Sequence, residues 1–212
     1  MKKWEMVLVF ALLCAASVQA TPVTFAFDRI TANCPAKIEG QLFVDVTATQ
    51  SGVNFNFRNA GPTLSTISEI YFYDGALLGI YSIDDSLPNV DFENLGANVT
   101  PNNLPDYKPD KLVLKLLAAT EAVTPEPANG VKPGEWVSVG FTLKSGKTYQ
   151  NLLDDMAAGE VSIGIHVKAI NCAVNSSQVE TLSDSFISTA IPEPMTLAIL
   201  GLGGLMLTRR QK

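Results

Sequence analysis

Hydrophobic and polar residues alternate along most of the chain between positions 21 and 190. Val53, Phe55 and Phe57 fall on one side of a period of two, and Asn54, Asn56 and Arg58 on the other. That is the pattern of a strand with one buried and one wet face. The same period predicts strands at Val23–Ile30, Gln41–Thr49, Trp136–Lys144, Glu160–Ile170 and Thr181–Ser188, with a short one at Val90–Glu93. Glu69–Ile83 is apolar on both faces and contains Asp74-Gly75. This pair accepts positive φ in a two-residue turn. The segment is therefore expected to be a central or covered hairpin, with Phe72 opposite Leu77 and Tyr71 opposite Leu78. Leu112–Leu117 fits a strand or a helix. Asn151–Ala158 is the one helical segment, ended by Gly159. Thr120–Glu135 is a loop rich in Pro and Ala, and its Pro133-Gly134 reads as a type II turn.

Short strands at this spacing, separated by Gly, Pro and Asn turns, predict an all-β fold. The expected form is a two-sheet antiparallel sandwich, jelly-roll-like, with one short helix. No internal repeat or linker divides residues 21–190, which are enough for one domain with a real core.

The two ends have a different character. Residues 1–20 read MKKWEMVLVFALLCAASVQA, with Lys2 and Lys3 ahead of an apolar Met6–Ala16. Val18 and Ala20 supply the small residues of a signal peptidase site, so the cut is expected between Ala20 and Thr21. Residues 191–212 begin with Pro192-Glu193-Pro194 after Ile191, continue through apolar Met195–Thr208, and finish with Arg209, Arg210 and Lys212. As a helix the apolar part spans about 21 Å. A hydrocarbon core is ~30 Å thick. With flanking residues recruited it just spans, as a transient transmembrane helix whose basic tail stays in the cytoplasm.

This order of Pro-Glu-Pro, short Gly-containing apolar helix and terminal arginines, paired with a signal peptide, resembles the PEP-CTERM sorting signal of Gram-negative bacteria. The resemblance implies an exosortase, a membrane-embedded cysteine protease, cutting near Pro192, Glu193 and Pro194. It implies export, a transient membrane tether, and then the cell surface or extracellular matrix. Gln211 interrupts the terminal cations. The body also resembles an ectodomain that recurs among PEP-CTERM proteins, through FAFDRIT, QLFVDV, SEIYFYDG, NGVKPGEWVSVGFTL and KTYQNLLDDMAAGEVSIGIHVKAI. That second resemblance carries over no catalytic residue.

Charge narrows the partners. Of 15 Lys and Arg, five lie in the two ends, and of 21 Asp and Glu, two do. Ten cations against nineteen carboxylates leave residues 21–190 at a net charge of −9. Nucleic acid is excluded as a partner, since phosphates need a basic footprint. Cys14 leaves with the signal peptide. Cys34 and Cys172 remain as an even pair in an oxidising compartment and are expected to be bridged.

Candidate chemistry is sparse. The single histidine, His166, sits inside VSIGIHVKAI, where a strand-face role outweighs a catalytic or ligand role. No G-x-S-x-G or H-E-x-x-H motif occurs. Asp84, Asp85 and Asp91, with Glu93, form the densest acidic loop cluster, and Asp154 and Asp155 sit on the helix. If the first set acts, calcium suits it better than acid–base work, because calcium takes several oxygen ligands, loop carbonyls included. Tyr71, Tyr73 and Tyr81 raise the alternative of a carbohydrate-binding module, calcium-dependent in one version. Burial between layers or under a loop accounts for them too. The leading expectation is a non-enzymatic surface or matrix protein without a cofactor, associated with envelope or exopolysaccharide.

Overall fold

The computed structural model describes residues 21–50, 52–73, 76–101, 104, 115–175 and 178–190. The signal segment, the Pro-Glu-Pro step, the apolar tail and the terminal cations lie outside the described residues. Among the described residues no helix is long and apolar enough to cross a membrane.

Among the described residues ten antiparallel strands form: β1 (Val23–Arg29), β2 (Leu42–Ala48), β3 (Gly52–Asn59), β4 (Thr66–Tyr73), β5 (Leu77–Asp84), β6 (Phe92–Gly96), β7 (Leu116–Ala122), β8 (Trp136–Leu143), β9 (Ser162–Asn175) and β10 (Gln178–Ala190). An α-helix, α1 (Tyr149–Ala157), precedes β9. The helix starts where Thr148 accepts the Asn151 N–H at 3.2 Å while the Asn151 side chain accepts from the Thr148 N–H at 3.0 Å. This reciprocal cap satisfies donors that the first turn leaves free. Gly159, at φ +75, ends it. The expected type II turn is present: Gly134 has φ +88, and Glu135 N–H donates to Lys132 O across Pro133-Gly134.

The strands hydrogen-bond in the order β5-β8-β3-β2-β1-β10-β9-β4-β7-β6. Two layers are expected from the sequence, and two layers do pack together, but they are halves of one continuous sheet. The junction is β1 against β10, which pair from Phe25 with Ala190 to Arg29 with Phe186. The halves face each other through phenylalanines. Phe72 of β4 lies 5.3 Å from Phe55, 5.8 Å from Phe57 and 4.5 Å from Phe141, centroid to centroid. All four rings are fully buried. The edge strands β5 and β6 approach each other, so the sheet curls nearly into a barrel.

The expected hairpin is corrected. β4 pairs with β7 and β9, while β5 pairs with β8 in the other half. The chain passes from one half to the other between Tyr73 and Leu77. Asp74 and Gly75 themselves lie outside the described residues. The physical reason is burial: β4 is covered along nearly its whole length and needs neighbours on both sides, whereas β5 exposes Leu78 and Tyr81 and sits at an edge. The short strand expected at Val90–Glu93 runs at Phe92–Gly96. β7 extends to Ala122, into residues expected to be loop.

Candidate functional site

The face of β4 turned away from the phenylalanine core carries Glu69, Tyr71 and Tyr73, by simple alternation with Ile70 and Phe72. Register places Glu69 opposite Glu121 of β7 on one side and His166 of β9 on the other. Continuing outward, Glu121 pairs with Glu93 of β6, and His166 with Ser185 of β10. A polar row, Glu93–Glu121–Glu69–His166–Ser185, thus crosses five strands. It runs from exposed Glu93 to fully buried Ser185.

Glu69 is the centre of this row. Its side chain is 2% exposed, yet it accepts from Lys168 Nζ at 2.7 Å and from the Tyr71 hydroxyl, with His166 Nδ1 at 3.2 Å. Burial by itself would raise the Glu69 pKa. The hydrogen bonds from His166, Lys168 and Tyr71 outweigh it and hold the carboxyl at about 2. An ionised carboxylate only accepts, so Nδ1 carries the proton in that contact. The other ring nitrogen, Nε2, is buried without a hydrogen-bond partner.

Lys168 also meets Glu126, from the loop after β7. Oxygens of Glu69, Glu121 and Glu126 all lie within 4.8 Å of one another. Three carboxylates at that spacing are the kind of group that takes a metal ion. Here the Lys168 ammonium already bridges two of them. Burial, the hydrogen bond with Glu126 and the charges of Glu126 and Glu69 together push Glu121 up to about 7. Lys168 therefore offsets part of the cluster's charge from within. Burial works to lower the Lys168 pKa, but Glu126 and Glu69 overcome it and the net direction is upward.

The residues singled out from sequence are distributed differently. Asp84 and Asp85 accept local backbone N–H groups, from Ser86 at 3.3 Å and Phe92 at 2.8 Å. The backbone of Asp91 bonds Asn129 and Val123. The carboxylate trio that converges among the described residues is the Glu69 one, to which these aspartates do not belong. Tyr71 is buried with Leu104 and Ala119, and Tyr73 packs on the same cluster, so this pair offers no stacking platform. Tyr81 stands apart on β5, 48% exposed. His166 is the strand-face histidine expected, and the structure supplies the acidic partner that sequence did not show. Ser185 lies beside it in register. Its hydroxyl is buried, however, and makes no hydrogen bond to the ring.

Cys34 and Cys172 are bridged, with Cα atoms 5.6 Å apart. Beside the bridge, buried Asp184 accepts from Thr31 Oγ1 at 2.9 Å, Asn33 N–H at 2.8 Å and Cys34 N–H at 3.1 Å, with Arg29 Nη1 at 3.3 Å.

No protein-family model matches the chain, and no curated protein or solved structure matches it either.

Proposed function

We propose that this chain is an exported, non-enzymatic protein of the cell surface or extracellular matrix, addressed by its C-terminal tail. In this reading an N-terminal signal helix is removed at Ala20–Thr21. The jelly-roll-like sandwich of residues 21–190 folds outside the cytoplasm. Residues 191–212 hold it in the membrane by a short helix until an exosortase cuts near Pro192–Pro194. The released acidic module then associates with the envelope or exopolysaccharide.

The observation that carries the reading is the Cys34–Cys172 bridge, because such bonds form and persist in oxidising compartments. The termini support it as well. Phe25 pairs with Ala190, so the chain enters and leaves the sheet at the same end. A tail held in a membrane and a freshly cut N-terminus would then lie on one side of the domain.

Intact mass of the native protein, taken separately from envelope and matrix fractions, tests this. The expected matrix form starts at Thr21, ends near Pro192–Pro194 and is two hydrogen atoms lighter than the reduced chain. A membrane form that keeps Arg209 and Arg210, with none released, would replace sorting by a permanent tail anchor.

A further inference from the structure

The cluster around Glu69 holds more carboxylate than cation. It also joins the segment after β7 to the paired strands β7, β4 and β9. Glu126 belongs to the segment after β7, whose backbone is fixed at both ends. Val123 N–H donates to Asp91 O, Asp91 N–H to Asn129 O, and Val131 exchanges two bonds with Ile67. Between these anchors, the Ala128 and Gly130 N–H groups bond only within the segment, to Pro125 and Pro127. The side chain of Glu126 ties this apex to the sheet through Lys168 of β9, and its carboxylate comes within 4.8 Å of that of Glu121 on β7.

We propose that the Glu121–Glu126 contact is a proton-dependent latch, closed in mildly acidic surroundings and loosened above neutrality, that fastens the Val123–Val131 segment to the β7–β4–β9 face. The charged and titratable groups facing Glu121 are Glu93 from β6, Glu69 and Tyr71 from β4, His166 and Lys168 from β9, and Glu126 from the segment itself. Lys168 is the cation that bonds this set. It is already bonded to Glu69 and Glu126. While Glu121 keeps its proton, its hydroxyl donates to the Glu126 carboxylate. Once the proton leaves, that bond becomes a repulsion between two carboxylates, and Lys168 alone opposes three. The stretch around Glu126, between the backbone bonds at Val123 and Asn129, lies outside the ladder and is the part free to yield. β4 is locked between two neighbours. The proposal does not depend on the sorting reading.

Amide exchange read by mass spectrometry on the full chain in mild detergent tests it. Wild type and Glu121→Gln are compared at the same pH, which cancels the intrinsic base-catalysed rate. The carboxamide of the variant donates to Glu126 at any pH. At about pH 5 the two proteins are expected to protect residues 123–131 equally. At about pH 8 wild type is expected to exchange there roughly tenfold faster, one pKa unit of coupling after solvent screening. Equal protection at both pH values overturns the latch. A difference of the same size at both overturns it too, by tracing the effect to packing. Glu126→Gln serves as a second variant should Glu121→Gln fold poorly, and is expected to flatten the pH dependence in the same way. If calcium restores protection at about pH 8 in wild type but not in Glu121→Gln, the cluster is a cation site and the latch is wrong.

Discussion

A single buried carboxylate organises the polar face. Glu69 accepts from an ammonium and a phenol and holds the imidazole of His166 at hydrogen-bonding distance. Replacing it by alanine leaves Tyr71 and His166 without this acceptor in a buried site and Lys168 with Glu126 alone. Glu69→Ala is expected to cost about 3 kcal/mol in urea denaturation at neutral pH. A loss below about 1 kcal/mol would mean water already screens these contacts. The two perturbed carboxyls also predict an acidic optimum of stability. Glu69 titrates near 2 folded against 4.5 as a free group, so its contribution is present above 4.5 and disappears as pH falls toward 2. Glu121 titrates near 7 folded, so stability declines as pH rises from 4.5 to 7 and is level beyond. From this cluster the melting temperature should peak near 4.5, with a shallower alkaline limb because Glu121 keeps contact with water. Glu121→Gln should remove the alkaline limb and leave the acid one. A wild-type melting temperature that is flat between 4.5 and 7 would return Glu121 to ordinary acidity. Little of this site was legible beforehand. Glu69, Glu121 and Glu126 do not form one run in the chain and meet through β4–β7 pairing and a loop. Asp84, Asp85 and Asp91 are close in sequence, but the carboxylate trio that converges among the described residues is a different one. One local sign existed: a glutamate among the bulky apolar and aromatic residues of TISEIYFY needs a buried cation or donor beside it.

Among the elements, period-two patterning located strands well, because each half-buried strand writes its two faces into alternate residues. β3 shows this most plainly, with every second side chain in the core. Pairing was less legible. β4 is buried on both faces, so its own pattern sets no register and no neighbour. The local Asp74-Gly75 signal suggested a hairpin that long-range burial overrides. β4 instead delivers Phe72 into the rings of β3 and β8, making that side chain a central contact between the two halves. Phe72→Ala is expected to cost about 3–5 kcal/mol, the range for removing a large buried ring. By contrast, Thr148→Ala removes one cap from a surface helix and should cost about 1 kcal/mol. Denaturation of both variants ranks them. If the two losses are alike, the halves do not depend on Phe72.

At the scale of the whole molecule, one seam decides integrity. Among the described residues the two halves share strand-ladder hydrogen bonds only where β1 meets β10. Both ends of the domain lie at one end of that seam, where Phe25 pairs with Ala190. The opposite end is closed by other means. The Cys34–Cys172 bridge reaches from the loop after β1 across β10 to β9. Asp184 of β10 gathers Thr31, Asn33, Cys34 and Arg29 alongside it. The bridge closes a sequence separation of 138 residues. A loop that long stabilises by up to about 5 kcal/mol when chain entropy alone is counted. Its position adds a structural reason, since the seam can open from that end only if the bridge is gone. The double variant Cys34→Ser, Cys172→Ser should therefore lose several kcal/mol in denaturation. Its amide exchange should rise first along Arg29–Thr31 and Asp184–Phe186, before the Phe72 cluster is affected. Uniform loss of protection across both halves would show that the bridge acts on the unfolded chain alone and that the seam needs no clamp.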